Sequence, residues 1–148
     1  ALSTCSSAAS IPVNTECAKK IGVSEDIASP TITLGTSFHK DGSIIGSVFK
    51  IMFLVYLFDM PVSGIKVLGV SLLATILVTA VPIGGGTISE MLILKLMGFP
   101  VAALPILTII ATIIDAPATL LNVTGDCASS MLVSRMVDGK DSLKKELE

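Results

Sequence analysis

Hydrophobic residues run through this chain in long blocks, and a short polar or glycine-rich segment cuts each block. Ser6 to Lys20 is a short helix-compatible stretch, rich in small and hydroxyl residues, ending in the basic pair Lys19-Lys20. Gly22 to Ser29 is polar and reads as a loop. Pro30 to Phe38 is apolar, is interrupted by His39-Lys40-Asp41-Gly42-Ser43, and resumes from Ile44 to Phe58. The two halves predict one membrane crossing with a broken middle. Asp59, Pro61, Ser63 and Gly64 form the next turn.

Val67 to Ser89 carries no charge over about 23 residues, enough to span a bilayer. Pro82-Ile83-Gly84-Gly85-Gly86 cuts that block near its end. The segment after the cut, Thr87 to Met97, is about 11 residues long and too short to cross. Two arms joined by a Pro/Gly tip predict a re-entrant hairpin, with Glu90 and Lys95 as charges on its surface. Gly98-Phe99-Pro100 turns the chain, and Ala102 to about Val133 predicts a last crossing, broken around Asn122 to Gly125. From Arg135 the tail is polar and solvated. Lys50, inside an apolar run, reads as a snorkelling or protein-facing cation rather than a substrate ligand.

Composition agrees with the pattern. Hydrophobic residues make up 51% and charged residues 15% of the chain, and the mean hydropathy is +0.85, which places it in the membrane class. The formal net charge of −2 and the lack of a basic patch give no sign of nucleic acid. The start at Ala1 has no basic n-region and no signal-peptide pattern, and the chain reads as part of a longer protein. Cys5, Cys17 and Cys127 lack metal-ligand spacing, and His39 is the single histidine. Reduced thiols are expected, with no metal–thiolate or disulfide framework.

The chemistry lies in the acids. No charge occurs between Leu96 and Ile114, yet Asp115 and Asp126 come next in apolar surroundings. An ionisable group at membrane depth is costly and marks an ion or substrate pathway. Broken helices at that depth are tolerated where their freed backbone lines a cavity, which is how transporter sites are built. No Lys or Arg lies between Lys95 and Arg135 to pair with these acids.

Four motifs then resemble, in order and spacing, the transport core of the dicarboxylate/amino acid:cation symporters, the family of glutamate transporter homologues. Thr4-Cys5-Ser6-Ser7-Ala8-Ala9-Ser10-Ile11-Pro12 is similar to the serine-rich tip of the first hairpin. Leu34 through Ser43 is similar to the unwound centre of the seventh helix, Val81 through Thr87 to the second hairpin tip, and Asp115 through Asp126 to the eighth helix. The resemblance implies an all-α integral membrane fold of re-entrant hairpins and discontinuous helices, moving as an elevator. It implies a partial transport domain over 1–135. Within it lie a first-hairpin arm at 4–21, a broken helix seven at 26–58, a second hairpin at 64–98 and a broken helix eight at 102–135. Residues 136–148 form a cytoplasmic tail, on the face shared with Lys19-Lys20 by the positive-inside rule.

By the same resemblance the protein is a transporter in the cell membrane, not an enzyme. The coupling ion is sodium (Na+), a hard cation that wants oxygen ligands, and no organic cofactor is implied. One sodium site would use the carbonyls of Gly35, His39 and Asn122 with the Asp126 carboxylate. A second would use the Asp41 carboxylate and the side chain at position 39, and a third would lie between the Ser37 carbonyl and the second hairpin. The substrate carboxylate would rest on Ser7 and Asn122 and its ammonium on Asp115, with Thr119 alongside. Ser6, Ser43 and Ala118 complete the candidate substrate set. The second hairpin would be the extracellular gate, and a scaffold outside this chain would form a homotrimer.

The sequence also departs from the family. Acidic-substrate members carry an Arg at the positions of Ala118 or Cys5, and the single Arg here is Arg135. A second substrate carboxylate would lack its bidentate partner, which favours a neutral amino acid such as serine or alanine over a dicarboxylate. The counter-reading is that Lys40 supplies the charge. His39 stands where relatives offer an amide oxygen, and implies coupling to fewer sodium ions or partly to protons. Two other functions compete. A passive channel needs no gate hairpin and no ammonium-binding acid. An intramembrane aspartyl protease could pair Asp41 with Asp126, but expects Gly-x-Gly-Asp and Pro-Ala-Leu motifs that are absent.

Overall fold

The computed structural model describes residues 1–79 and 85–139. The chain is helical, with no strand among the described residues. Its elements are α1 (Ser7–Lys20), α2 (Glu25–Phe38), α3 (Asp41–Leu57), α4 (Gly64–Thr79), α5 (Gly85–Met97), a 3-10 turn at Val101–Ala103, and α6 (Leu104–Val137). The second-hairpin motif lies partly, and the tail from residue 140 wholly, outside the described residues.

Local chemistry sets the boundaries. The Ser6 hydroxyl caps α1 by accepting the Ala9 N–H at 3.2 Å, satisfying one of the orphan donors of a helix start. The expected loop from Gly22 to Ser29 is shorter than its composition suggests, because α2 already begins at Glu25. Glu25 and Asp26 occupy its first turn, where carboxylates complement the positive end of the helix dipole. The Lys19 ammonium donates to Glu25 at 3.1 Å and ties α1 to α2; that bond and the Glu25 charge raise the Lys19 pKa above its ordinary value.

Helix α6 corrects a second expectation. It runs unbroken for 34 residues through Asn122, Val123, Thr124, Gly125 and Asp126. A single glycine costs a helix only about 1 kcal/mol relative to alanine, and long apolar flanks hold both sides. At 1.5 Å per residue α6 is about 51 Å long, more than the ~30 Å hydrocarbon core. Among the described residues, Val101–Val137 is the one segment long and apolar enough to cross a membrane by itself. The expected crossing over Pro30–Phe58 is divided between α2 and α3, of 14 and 17 residues.

The chain forms two compact units. One comprises Ala1–Asp41 and the part of α6 from Thr119. Its core is Ala18, Val23, Ile27, Ala28 and Ile32, packed against Ile11, Cys127 and Met131. The other, Gly42–Ala118, packs α4 on α5 through Val67, Val70, Ala74, Ile93, Leu94 and Met97, with Ile51, Leu54 and Leu107 completing the core.

In the first unit, α6 is polar inside and apolar outside. Thr119, Asn122, Asp126, Ser130 and Ser134 are buried, while Leu120, Leu121, Leu132 and Met136 are exposed. Spacings of three and four place the buried set on one helix face. A helix of a water-soluble domain shows the opposite arrangement. Exposed leucines over a buried polar stripe suit hydrocarbon as the surroundings.

Candidate functional site

The break between α2 and α3 is stabilised by charge at both cut ends. Lys40 folds back so that its Nζ donates to the Thr36 carbonyl at 2.8 Å, at the negative, carbonyl-bearing end of α2. Asp41 opens α3, at that helix's positive end. The His39 N–H closes the last turn of α2 on the Gly35 carbonyl at 2.6 Å, and the imidazole lies against Gly125 of α6.

That imidazole reaches two carboxylates. His39 Nε2 lies 2.8 Å from Asp41 Oδ2, and Nδ1 lies 3.5 Å from Asp126 Oδ1. The two acids differ in surroundings: the Asp41 side chain is 67% exposed and that of Asp126 is 0% exposed. Asp126 Oδ1 is buried with no hydrogen-bond partner. Its other oxygen, Oδ2, is 3.4 Å from the Thr36 hydroxyl, whose shorter contact is the Ile32 carbonyl at 2.9 Å. A neutral imidazole has one N–H and serves one carboxylate; an imidazolium serves both. A buried carboxylate satisfied this weakly is a cation-seeking group.

Two glycines make the approach possible. A Cβ on Gly35 would collide with Asp126 Oδ1, and a Cβ on Gly125 would collide with the His39 ring. Gly125, which the sequence offers as a helix breaker, instead clears a seat for the imidazole.

The other candidates divide between the units. In the first, Ser6 caps α1 and Ser7 begins it half-buried. Thr119 and Asn122 are buried on the face of α6 that carries Asp126. Gly35, His39, Asp41 and Asp126 gather, and Ser37 is exposed on α2. Asn14, which sequence reasoning passes over, is buried and donates from Nδ2 to the Val123 carbonyl at 3.0 Å, tying α1 to α6. Its signal is its place on the buried face at Ser10, Asn14 and Ala18, a four-residue period.

In the second unit, Ser43 lies on α3, Asp115 is exposed on α6, and Ala118 is buried where Gly42 presses on its carbonyl. Glu90, expected as a surface charge, is only 2% exposed. Its Oε2 accepts from Thr108 Oγ1 at 2.8 Å, and its Oε1 lies 4.0 Å from Lys50 Nζ. The reason is register. Glu90 precedes Ile93, Leu94 and Met97 by three, four and seven residues, which puts it on the buried face of α5.

The model of the sodium:dicarboxylate symporter family matches residues 1–136. A Caenorhabditis elegans protein named for sodium-dependent excitatory amino acid transport is 28% identical over 163 residues, covering 100% of this chain and 30% of its own length. The human neutral amino acid transporter B(0) is 25% identical, over 100% of this chain and 28% of its own. The L-cystine uptake protein of Shouchella clausii is 28% identical, over 91% and 30%. The chain thus spans about 30% of the length of these curated relatives. No solved structure gives a significant match.

Proposed function

Since the chain belongs to the sodium:dicarboxylate symporter family, a family of membrane transporters rather than enzymes, we propose that its residues build the transport core of a sodium-coupled symporter for a small neutral amino acid such as serine or alanine. The observation that carries this reading is Asp126: a fully buried carboxylate, one oxygen without a hydrogen bond, on a helix whose outer face is apolar. A cation is what such a group lacks, and a migrating ion that fills it drives transport if substrate binding depends on the same elements.

Sodium is here a cargo ion, and the Asp126 carboxylate with the Thr36 hydroxyl beside it offers the oxygen ligands a hard cation takes. Asp126 supplies the charge, Asn122 and the break at His39 supply oxygen donors, and Asp41 balances a second cation with the position-39 side chain. His39, already between Asp41 and Asp126, takes part of the room and charge an ion uses in relatives, which supports coupling to fewer sodium ions than is typical. By the family resemblance the substrate carboxylate goes to Ser7 and Asn122 and its ammonium to Asp115, with Ser6, Ser43, Ala118 and Thr119 as the remaining candidate contacts. The second hairpin gates the site, helix seven is the discontinuous element of an elevator, and a scaffold beyond these residues assembles the homotrimer with the tail in the cytoplasm.

Two observations favour a neutral substrate. Ala118 and Cys5 bring no charge, and the Lys40 ammonium is engaged by the Thr36 carbonyl. Relatives named as neutral amino acid transporters support the same choice. The test is uptake of labelled serine, alanine, aspartate and succinate by full-length protein in proteoliposomes under a sodium gradient. Sodium-dependent serine or alanine uptake is expected. Preference for the diacids overturns the substrate, and a sodium current indifferent to substrate overturns symport in favour of a channel.

A further inference from the structure

Asn14 makes a hydrogen bond for which neither the sodium site nor the substrate site accounts. It is 7% exposed, in the middle of α1, and its Nδ2 donates to the Val123 carbonyl at 3.0 Å. Both residues lie in the first unit. Val123 stands inside unbroken α6, where a carbonyl meets the N–H four residues on. Asn14 takes the second lone pair of that oxygen.

Apolar contacts hold the same helices in a different way. Ile11 of α1 and Cys127 and Met131 of α6 pack on the core around Ala18, and burial of this kind is non-directional. It lets one helix slide on the other. The Lys19–Glu25 pair joins α1 to α2 rather than to α6, and it is partly exposed, so it is worth little. A hydrogen bond has a preferred distance and angle, and the one from Asn14 sets the register of α1 on α6.

Val123 is also next to a proposed ion ligand. The Asn122 and Val123 carbonyls belong to the two peptide planes that meet at the Val123 Cα. Planar peptides leave only φ and ψ between them, so a turn of the Asn122 carbonyl toward a cation reorients that of Val123. At the other end of the bond, Asn14 follows Ser7 by seven residues. That is two turns along one face of α1, about 10 Å. Ser7 begins α1 half-buried.

We infer that Asn14 is a positioning residue that couples ion to substrate: engagement of the Asn122 carbonyl by sodium passes through Val123 and Asn14 to α1, which sets Ser7 for the substrate carboxylate. This rests on the reading of Asn122 as a sodium ligand and Ser7 as a substrate ligand. Such coupling is reciprocal, each ligand tightening the other by the same factor. A bond that merely holds the fold raises KM equally at every sodium concentration. A bond that couples changes how far KM moves with sodium.

The experiment measures the KM for labelled serine in proteoliposomes at low and at saturating sodium, with full-length wild type and Asn14→Leu, which keeps the size and removes the donor. Thermal unfolding in detergent, with sodium alone and with sodium plus serine, accompanies it. The wild-type KM is expected to fall about fivefold or more between the two sodium levels. In Asn14→Leu that ratio shrinks about threefold or more, the worth of one hydrogen bond. Sodium alone still stabilises the variant, because Asp126 is intact, while the further gain on adding serine is reduced.

A ratio equal to that of wild type in the folded variant overturns the inference, as does a KM raised by the same factor at both sodium levels. Loss of the sodium-only gain also overturns it, by placing Asn14 in the ion site itself. Where Asn14→Leu does not fold, Asn14→Ala decides by the same ratio; failure of both to fold makes the bond a structural tie and overturns the inference. A wild-type KM that does not move with sodium overturns the coupling and leaves symport in place. Wild-type protein without sodium-dependent uptake of serine or alanine overturns the underlying reading, and the inference falls with it.

Discussion

Gly35 on α2 lies so close to Asp126 on α6 that its missing side chain is what admits the carboxylate. The two residues are far apart in sequence, and the contact fixes the buried acid against the last turn before the break. Gly35→Ala is expected to force that carboxylate aside. Overpacking of this kind costs about 1–3 kcal/mol, and the half-saturating sodium concentration for uptake rises with it. Thermal unfolding and sodium titration of uptake measure both effects; an alanine variant with wild-type sodium dependence separates Gly35 from the ion site.

Asp126→Asn tests the charge alone. The amide keeps the shape but removes the group that seeks a cation, so sodium-driven uptake is expected to fall more than about tenfold, the loss of a charged partner being worth over about 1.4 kcal/mol. The fold itself is expected to survive, because an incompletely satisfied buried charge has been removed. Wild-type protein in detergent gains thermal stability as sodium is added, since a ligand that binds only the folded state stabilises it. The variant shows no such gain. An equal sodium response in both proteins places the ion elsewhere.

Lys40→Met separates the two substrate readings. Lys40 is engaged with the Thr36 carbonyl at the end of α2, so its loss removes a helix-end charge worth about 0.3–1 kcal/mol. Neutral amino acid uptake is expected to stay within about fivefold of wild type, the kinetic equivalent of that energy. Collapse of aspartate or succinate uptake in a protein that prefers those solutes shows instead that the ammonium holds a second carboxylate.

Different parts of this picture are legible in the sequence to different degrees. The interruption at His39 and Lys40 falls in a run of polar residues between two apolar blocks, and hydropathy alone marks it. Gly125 carries the same local signature of a break and does not make one, because a glycine also serves where another residue must come near. Which role applies depends on His39, 86 positions earlier in the chain. Glu90 misleads for a related reason: charge suggests a surface, whereas its register with Ile93, Leu94 and Met97 gives burial. Asn14 escapes a sequence reading because its partner is a backbone carbonyl on a distant helix, which no motif announces.

The inside-out arrangement of α6 makes the surroundings a component of the fold. Its leucines gain nothing by meeting one another in hydrocarbon, so exchange among Leu, Ile and Val on that face is nearly free. A methyl put in place of a polar group in the stripe of Asn122, Asp126, Ser130 and Ser134 removes a hydrogen-bonding partner where none can be borrowed from water. Sequence drift should therefore run fast on the outside of this helix and slowly within, and transfer to water would turn the tolerant face into the sticky one.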